Sequence, residues 1–110
     1  MPTDRRSRRA HAPLLAAEYF LDAQRQHAGA SAVMLWDGGE PLLTSVAKDA
    51  PDTLVEAAMR DVTSGGQGFD RDIFVHKLNV FGRELDLISV DARLSSVRRV
   101  ESSLSRIFAS

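Results

Sequence analysis

The sequence predicts a single α/β domain whose elements run in the order helix, two strands, helix, two strands, helix. Three observations carry this prediction. Apolar residues recur at helical spacing in three segments, whereas four other segments are short apolar runs typical of strands. Glycines lie between the two strands of each predicted pair. The length of 110 residues fits one domain and leaves little room for a second.

The first helix is predicted over residues 13–28. Pro13 suits a first helical turn, where its missing N–H leaves no hydrogen bond unmade, and Gly29 suits a C-terminal cap. The apolar stripe consists of Leu14, Ala17, Leu21 and Ala28, with Leu15 and Phe20 beside it. Residues 1–11 carry four arginines and no apolar periodicity. We therefore expect a disordered basic arm there and a folded domain over residues 12–110.

The first strand pair is predicted as a β-hairpin over residues 31–47. Residues 31–36 are mostly apolar without alternation, which predicts burial on both faces, and the glycines that follow allow a tight turn. A second helix is predicted over residues 50–64, where Pro51 favours a helical start. Its wide apolar face consists of Leu54, Val55, Ala58, Met59 and Val62.

The second strand pair is predicted over residues 72–91 and the last helix over residues 93–109. The glycine-rich residues 65–68 end the second helix. They follow a helix and precede a strand, which is the opposite polarity to a phosphate-binding loop, so we expect no nucleotide site. The sequence leaves open whether a fifth strand lies near residues 66–72.

Composition excludes several classes of site. The chain contains no cysteine, so it has no disulfides, thiolate metal sites or cysteine nucleophiles, and we expect a cytoplasmic protein. The formal net charge is −1, but outside the arm the chain holds ten basic and fourteen acidic side chains. A basic tail beside an acidic body favours a solubilising role over nucleic-acid binding. Apolar runs are too short to span a bilayer, so we expect no membrane insertion.

No complete catalytic or metal-binding pattern is present. His11, His27 and His76 form no HxH or HxxxH pair, and the sequence contains no GxSxG elbow. His76 on an apolar strand is more typical of a structural residue than of a ligand, and a hydrolase that uses it ranks as an alternative. We therefore expect no enzyme, no cofactor and no metal.

Apolar surface is the remaining functional feature. The second helix and the strand near residues 73–80 are rich in apolar side chains, and a four-stranded sheet has edges that can pair with another chain. From composition alone, this surface fits an internal core as well as it fits an interface.

The segment from Gly29 to Leu43 begins with small residues and continues as an apolar strand, a turn at Asp37 and Gly38, and a second strand. With the helix that follows, it resembles the Roadblock family of dynein light-chain-like domains. The resemblance covers residues 12–109, because the later strand pair and last helix also agree. The family usually has five strands, whereas only four are placed here.

The resemblance implies a three-layer α-β-α sandwich with a central antiparallel sheet of four to five strands. The second helix would cover one face, and the first and last helices the other. It also implies dimers with the same chain or a paralogue. In such a dimer the second helices pack together and the third strands pair edge to edge. Candidate interface residues are then Val55, Met59, Val62, Phe74 and His76. Bacterial members look like regulators or partners of small Ras-like GTPases, so such a GTPase is the expected partner.

A small-molecule sensor of profilin-like or PAS-like architecture is the alternative function, because three-layer α/β domains of this size often enclose a ligand. This alternative predicts a pocket lined by Trp36 and Phe81.

Overall fold

The computed structural model describes the backbone of residues 3–63 and 71–109, and the side chains of residues 13–63 and 71–109. Within these residues the elements follow the predicted order. They are α1 (Thr3–Ala28), β1 (Ala32–Asp37), β2 (Glu40–Val46), α2 (Leu54–Thr63), β3 (Ile73–Val80), β4 (Arg83–Val90) and α3 (Val97–Ala109). The glycine-rich connector, and with it most of the segment suggested for a fifth strand, lies outside the described residues.

The four described strands form one antiparallel sheet in the order β2-β1-β4-β3. β1 lies in the centre and its first five residues are buried, which confirms the burial predicted from its continuous apolar run. β4 is the second central strand and is buried over its second half. β2 and β3 are the edge strands, and both carry exposed residues along their length.

Helices cover both faces of the sheet, so the fold is the predicted three-layer sandwich. One core joins α1 and α3 to the first face, and its largest fully buried side chains are Leu21, Leu35, Leu78, Leu87 and Leu104. The second core joins α2 to the opposite face, and its buried members are Ala32, Met34, Trp36, Leu54, Ala58, Ile88 and Val90. The sheet is therefore apolar on both sides, which is what a buried central layer requires.

Helix α1 begins at Thr3, ten residues before the predicted start at Pro13, so the described helix includes residues 3–11 of the segment expected as a basic arm. Arginine and alanine have high intrinsic helix propensity, and extending an existing helix avoids the unfavourable nucleation step. Apolar periodicity identifies only the part of a helix that packs on a core. Pro13 therefore lies inside the helix, where it removes one intrahelical hydrogen bond.

The other two helices begin four residues later than predicted. A turn in which the N–H of Leu54 donates to the carbonyl of Pro51 (3.0 Å) precedes α2, so the proline belongs to the lead-in. Helix α3 is capped by Ser96, whose Oγ accepts from the N–H of Arg99 at 3.3 Å. The early predicted start of α2 comes from Pro51, whereas the first apolar residue of its face, Leu54, is where the helix begins. The early predicted start of α3 comes from apolar spacing, which includes the buried Leu94 before the cap.

A polar cluster ties α1 to the edge strand β2. Oδ1 of Asp22 accepts hydrogen bonds from Oγ of the buried Ser45 at 2.7 Å and from a guanidinium nitrogen of Arg25 at 3.1 Å. Nε2 of Gln26 donates to Oδ2 at 2.9 Å. The Ser45 hydroxyl, followed by the Arg25 guanidinium, lowers the pKa of Asp22 below its ordinary value of 3.8.

The lowered pKa of Asp22 predicts a pH-dependent contribution to stability. The folded protein holds the Asp22 proton less tightly than the unfolded chain does, so the contribution is complete above pH 3.8 and is lost as pH falls through the lower folded pKa. In thermal unfolding from neutral to strongly acidic pH, we expect Asp22→Asn to be less stable than the parent, with a gap that closes below pH 3.8. Glu18→Gln, on the same helix, is the control. A gap for Asp22→Asn that stays constant with pH would contradict this account.

Each hairpin closes with a two-residue turn whose central residues both have positive φ. In the first, Gly38 (59°) and Gly39 (87°) suit this conformation. In the second, Phe81 (55°) precedes Gly82 (74°). A phenylalanine in the left-handed region is strained, and Phe81 is 68% exposed. The second hairpin is therefore closed at a conformational cost that the first avoids.

Replacing Phe81 with asparagine should relieve this strain, since asparagine tolerates the left-handed region and the exposed ring contributes little packing. We expect Phe81→Asn to raise the free energy of unfolding by about 1 kcal/mol, measured by urea denaturation. Phe81→Leu keeps the unfavourable conformation and should give no comparable gain. Equal stability of the two variants would exclude backbone strain as the cause.

Candidate interaction surface

The outer edge of β3 is the candidate site, because its backbone groups face no other described strand. In the hairpin with β4, Val80 pairs with Arg83 directly beside the two-residue turn. Such a pair exchanges both backbone hydrogen bonds, so the even-numbered residues of β3 point their N–H and C=O groups toward β4. The odd-numbered residues, from Ile73 to Asn79, point theirs outward.

Two hydrogen bonds made by backbone groups agree with this alternation of inward and outward residues. The carbonyl of Asp72 accepts from the N–H of Asp91 at 2.8 Å, which continues the ladder with β4. The N–H of Asn79 points away from β4 and donates to Oε2 of Glu101 in α3 at 2.7 Å. The three outward-pointing positions before Asn79 make no backbone hydrogen bond to another described residue on that side. No strand in the part of the chain that the structure describes pairs with these positions, so they can accept a further strand.

The side chains of these outward positions lie on the α2 face of the sheet, because cross-strand partners share a face. Ile73 pairs with Val90 and Val75 pairs with Ile88, and both partners belong to the core beneath α2. Ile73 is half-buried against that core, whereas Val75 is 47% exposed. The open edge therefore carries an apolar side chain that the rest of the described chain does not cover.

Lys77 is the third outward position and is charged. Its Nζ lies 2.8 Å from Oε1 of Glu84 and 3.5 Å from Oδ1 of Asp86. The hydrogen bond to Glu84, with the nearby Asp86 charge, raises the pKa of Lys77 above its ordinary value of 10.5. The edge thus runs from an apolar end to one at which a lysine is ion-paired with two carboxylates.

Helix α2 supplies further apolar surface on the same face of the sheet. Val55, Met59 and Val62 are half-buried against the α2 core, while Leu54 and Ala58 are fully buried beneath them. Each of these half-buried side chains therefore contributes to the core and keeps part of its surface available. The structure places them on the same face of the sheet as Ile73 and Val75.

Phe74 and His76 lie on the opposite face, with α1 and α3. The guanidinium of Arg93 lies 5.0 Å from the centroid of the Phe74 ring, within the range of a cation–π contact. Nε2 of His76 is buried and has no hydrogen-bond partner among the described residues. The five candidate interface residues are thus divided by the sheet, three on the α2 side and two on the α3 side.

Four residues of this surface were not predicted from the sequence: Ile73, Val75, Lys77 and Glu101. The alternation of inward and outward residues in β3 would have identified the first three. Apolar residues occupy both alternate sets of positions in this strand, so the sequence does not mark which set faces outward. No sequence signal relates Glu101 to Asn79, which lies 22 positions earlier in the chain.

The described residues also bear on metal binding and on the pocket expected for a sensor. Among residues 13–63 and 71–109, no three His, Asp or Glu side chains lie close enough together to hold a metal ion. The pocket expected for a sensor is not formed by the two aromatic residues assigned to it. Trp36 is buried in the α2 core, whereas Phe81 lines an open groove with Leu42 and Phe108 on the other side of the sheet.

None of the described helices is both long and apolar enough to cross a membrane. No protein-family model matches the chain, and no curated protein or solved structure matches it. The resemblance to the Roadblock family stays a prediction.

Proposed function

We propose that this chain is a non-catalytic, homodimeric protein-interaction module that regulates or scaffolds a small Ras-like GTPase. The observation that carries the dimer is the outer edge of β3, where three successive outward positions have no partner strand among the described residues and Val75 is exposed. Pairing with a second copy satisfies these backbone groups and buries the valine, and both effects favour association.

The two edges of the sheet differ in a way that favours β3 as the pairing strand. In β2, Pro41 has no N–H, and the register with β1 shifts between Leu35 and Trp36. Proline and register irregularities both discourage strand addition. Strand β3 has a regular register with β4 over its whole length. Addition of a strand is therefore expected at β3 and not at β2.

The GTPase as partner rests on the resemblance to the Roadblock family, with its shared order of elements and hairpin residues. A regulator of this kind acts through its surface and needs no catalytic group of its own. The apolar side chains of α2, principally Val55, Met59 and Val62, are the surface that we assign to this interaction and to the dimer.

Light scattering of the purified chain, followed by co-elution with a panel of small Ras-like GTPases loaded with GDP or with a GTP analogue, tests both parts. We expect a mass of two chains and a complex with at least one GTPase in one nucleotide state. A monomer at micromolar concentration would refute the dimer. A dimer that binds no GTPase in either state would refute the assigned partner and leave the dimer intact.

A further inference from the structure

The carboxylate of Glu101 closes one end of the β3 edge. It reaches from α3, on the first face of the sheet, to the outward N–H of Asn79. A backbone N–H that already donates to a carboxylate is not available to an added strand, because charge-assisted hydrogen bonds are among the stronger ones. The available edge is therefore limited to the outward groups of Ile73, Val75 and Lys77.

Resting on the dimer proposed above, we propose that Glu101 sets the register of an antiparallel β3–β3 pair, with Val75 on the two-fold axis. Two identical strands that pair about a two-fold axis place residue i opposite residue j with a constant sum of i and j. A pair centred on Val75 uses the outward backbone groups of Ile73, Val75 and Lys77 in both copies and does not need the N–H of Asn79. Ile73 of one copy then faces Lys77 of the other.

This register is self-complementary on both faces of the sheet. On the α2 face, the half-exposed Val75 side chains of the two copies meet at the axis. On the α3 face, Phe74 of each copy lies opposite His76 of the other, because neighbouring residues alternate between faces. Aromatic and β-branched cross-strand pairs stabilise antiparallel sheets. The register thus gives Phe74 and His76 a place in the interface although they lie opposite α2.

Neighbouring registers are less favourable. Moving the axis to Lys77 sets two charged ammonium groups directly opposite each other, which destabilises a strand pair. Centring on Phe74 sets Arg71 opposite Lys77, again two positive charges, and Arg71 is already bound to Asp91. Centring on His76 requires the backbone N–H of Asn79, which Glu101 occupies. Together, these charges and the free backbone positions fit a second copy of the chain as the partner of the β3 edge.

Single cysteine variants test the register directly, since the chain has no cysteine of its own. Directly opposed residues in a hydrogen-bonded antiparallel pair have Cα atoms about 5.5 Å apart, within the range that a disulfide spans. Under mild oxidation, we expect Val75→Cys to form a covalent dimer by itself. Ile73→Cys and Lys77→Cys should each stay uncrosslinked alone and crosslink when mixed. Val46→Cys, on the exposed part of β2, is the matched control and should not crosslink.

The role of Glu101 is tested by its removal in the Val75→Cys background. Glu101→Ala frees the N–H of Asn79 and should lower the yield of Val75–Val75 crosslink about fivefold, the equivalent of one hydrogen bond. It should also produce crosslinks in a mixture of Val75→Cys and Lys77→Cys chains. Glu101→Gln keeps an oxygen acceptor and should retain the parental pattern. A merely structural role for Glu101 would lower stability without changing which positions crosslink.

The outcomes separate this inference from the function on which it rests. A monomeric parent protein refutes the dimer and the register together. A dimer in which Val75→Cys crosslinks with Ile73→Cys but not with itself overturns the register alone. A dimer that gives none of these crosslinks shows that the interface lies elsewhere. A monomer whose β3 pairs with a strand of a different protein shows that this edge is a docking site for that protein. An unchanged crosslink pattern in Glu101→Ala overturns the role of Glu101.

Discussion

Replacing Leu87 with alanine is expected to lower the free energy of unfolding by about 3 kcal/mol. Leu87 lies in the central strand β4, is 0% exposed and belongs to the core shared by α1 and α3. Its truncation removes apolar contacts and leaves a cavity that a closely packed sandwich cannot close. Because small domains are stable by only about 5–15 kcal/mol, the variant should unfold at clearly lower urea concentration.

Leu42→Ala is the matched control, because it removes the same atoms from a side chain that is 44% exposed in the edge strand β2. We expect a loss of about 0.5 kcal/mol for this variant, typical of surface substitutions. Both variants should be compared with the parent at one protein concentration, since dimerisation adds to apparent stability. Equal losses for Leu42 and Leu87 would contradict the assignment of the core.

Replacing Val75 with aspartate is expected to weaken dimerisation by about a hundredfold or more. At the axis of the proposed strand pair, two carboxylates would face each other in place of two valines. Like charges set opposite each other are costly, and the apolar contact between the valines is lost as well. The measurement is the dissociation constant of the dimer by sedimentation at several concentrations. Because Val75 is half-exposed, the monomer should keep its fold, which far-UV circular dichroism checks.

Val46→Asp is the control for this experiment. Val46 lies on the other edge strand, on the same face of the sheet, and is 37% exposed. Its replacement adds the same charge to a comparable exposed strand position and should leave the dissociation constant unchanged. If Val46→Asp weakens the dimer as strongly as Val75→Asp does, the interface does not lie at β3.

The hairpins and the order of elements could be predicted from the sequence because their signals are local. Two glycines after Asp37 define the first turn, and the apolar run of β1 predicted its burial on both faces. The ends of the helices were less predictable. Helix α1 continues through a segment without apolar periodicity, and Ser96 rather than Leu94 marks the start of α3.

The candidate surface could be predicted only in part. Val55, Met59 and Val62 share one helical face, and helical spacing alone brings them together. The apolar β3 residues on their side of the sheet are Ile73 and Val75, whereas Phe74 and His76 were the residues predicted. A shift of one position moves a side chain to the other face of the sheet. Because apolar residues occupy both odd and even positions of β3, its sequence does not show which set faces α2.

By itself, the sequence determined the types and order of the elements, because helical spacing, apolar runs and turn residues act over a few neighbouring positions. Only the tertiary structure decided which groups of β3 lack a partner strand among residues 3–63 and 71–109, and where that stretch ends. The pairing of β3 with β4 turns the groups of Ile73, Val75 and Lys77 outward, and the packing of α3 brings Glu101 to Asn79. Both depend on contacts between residues distant in the chain, which local patterns do not encode.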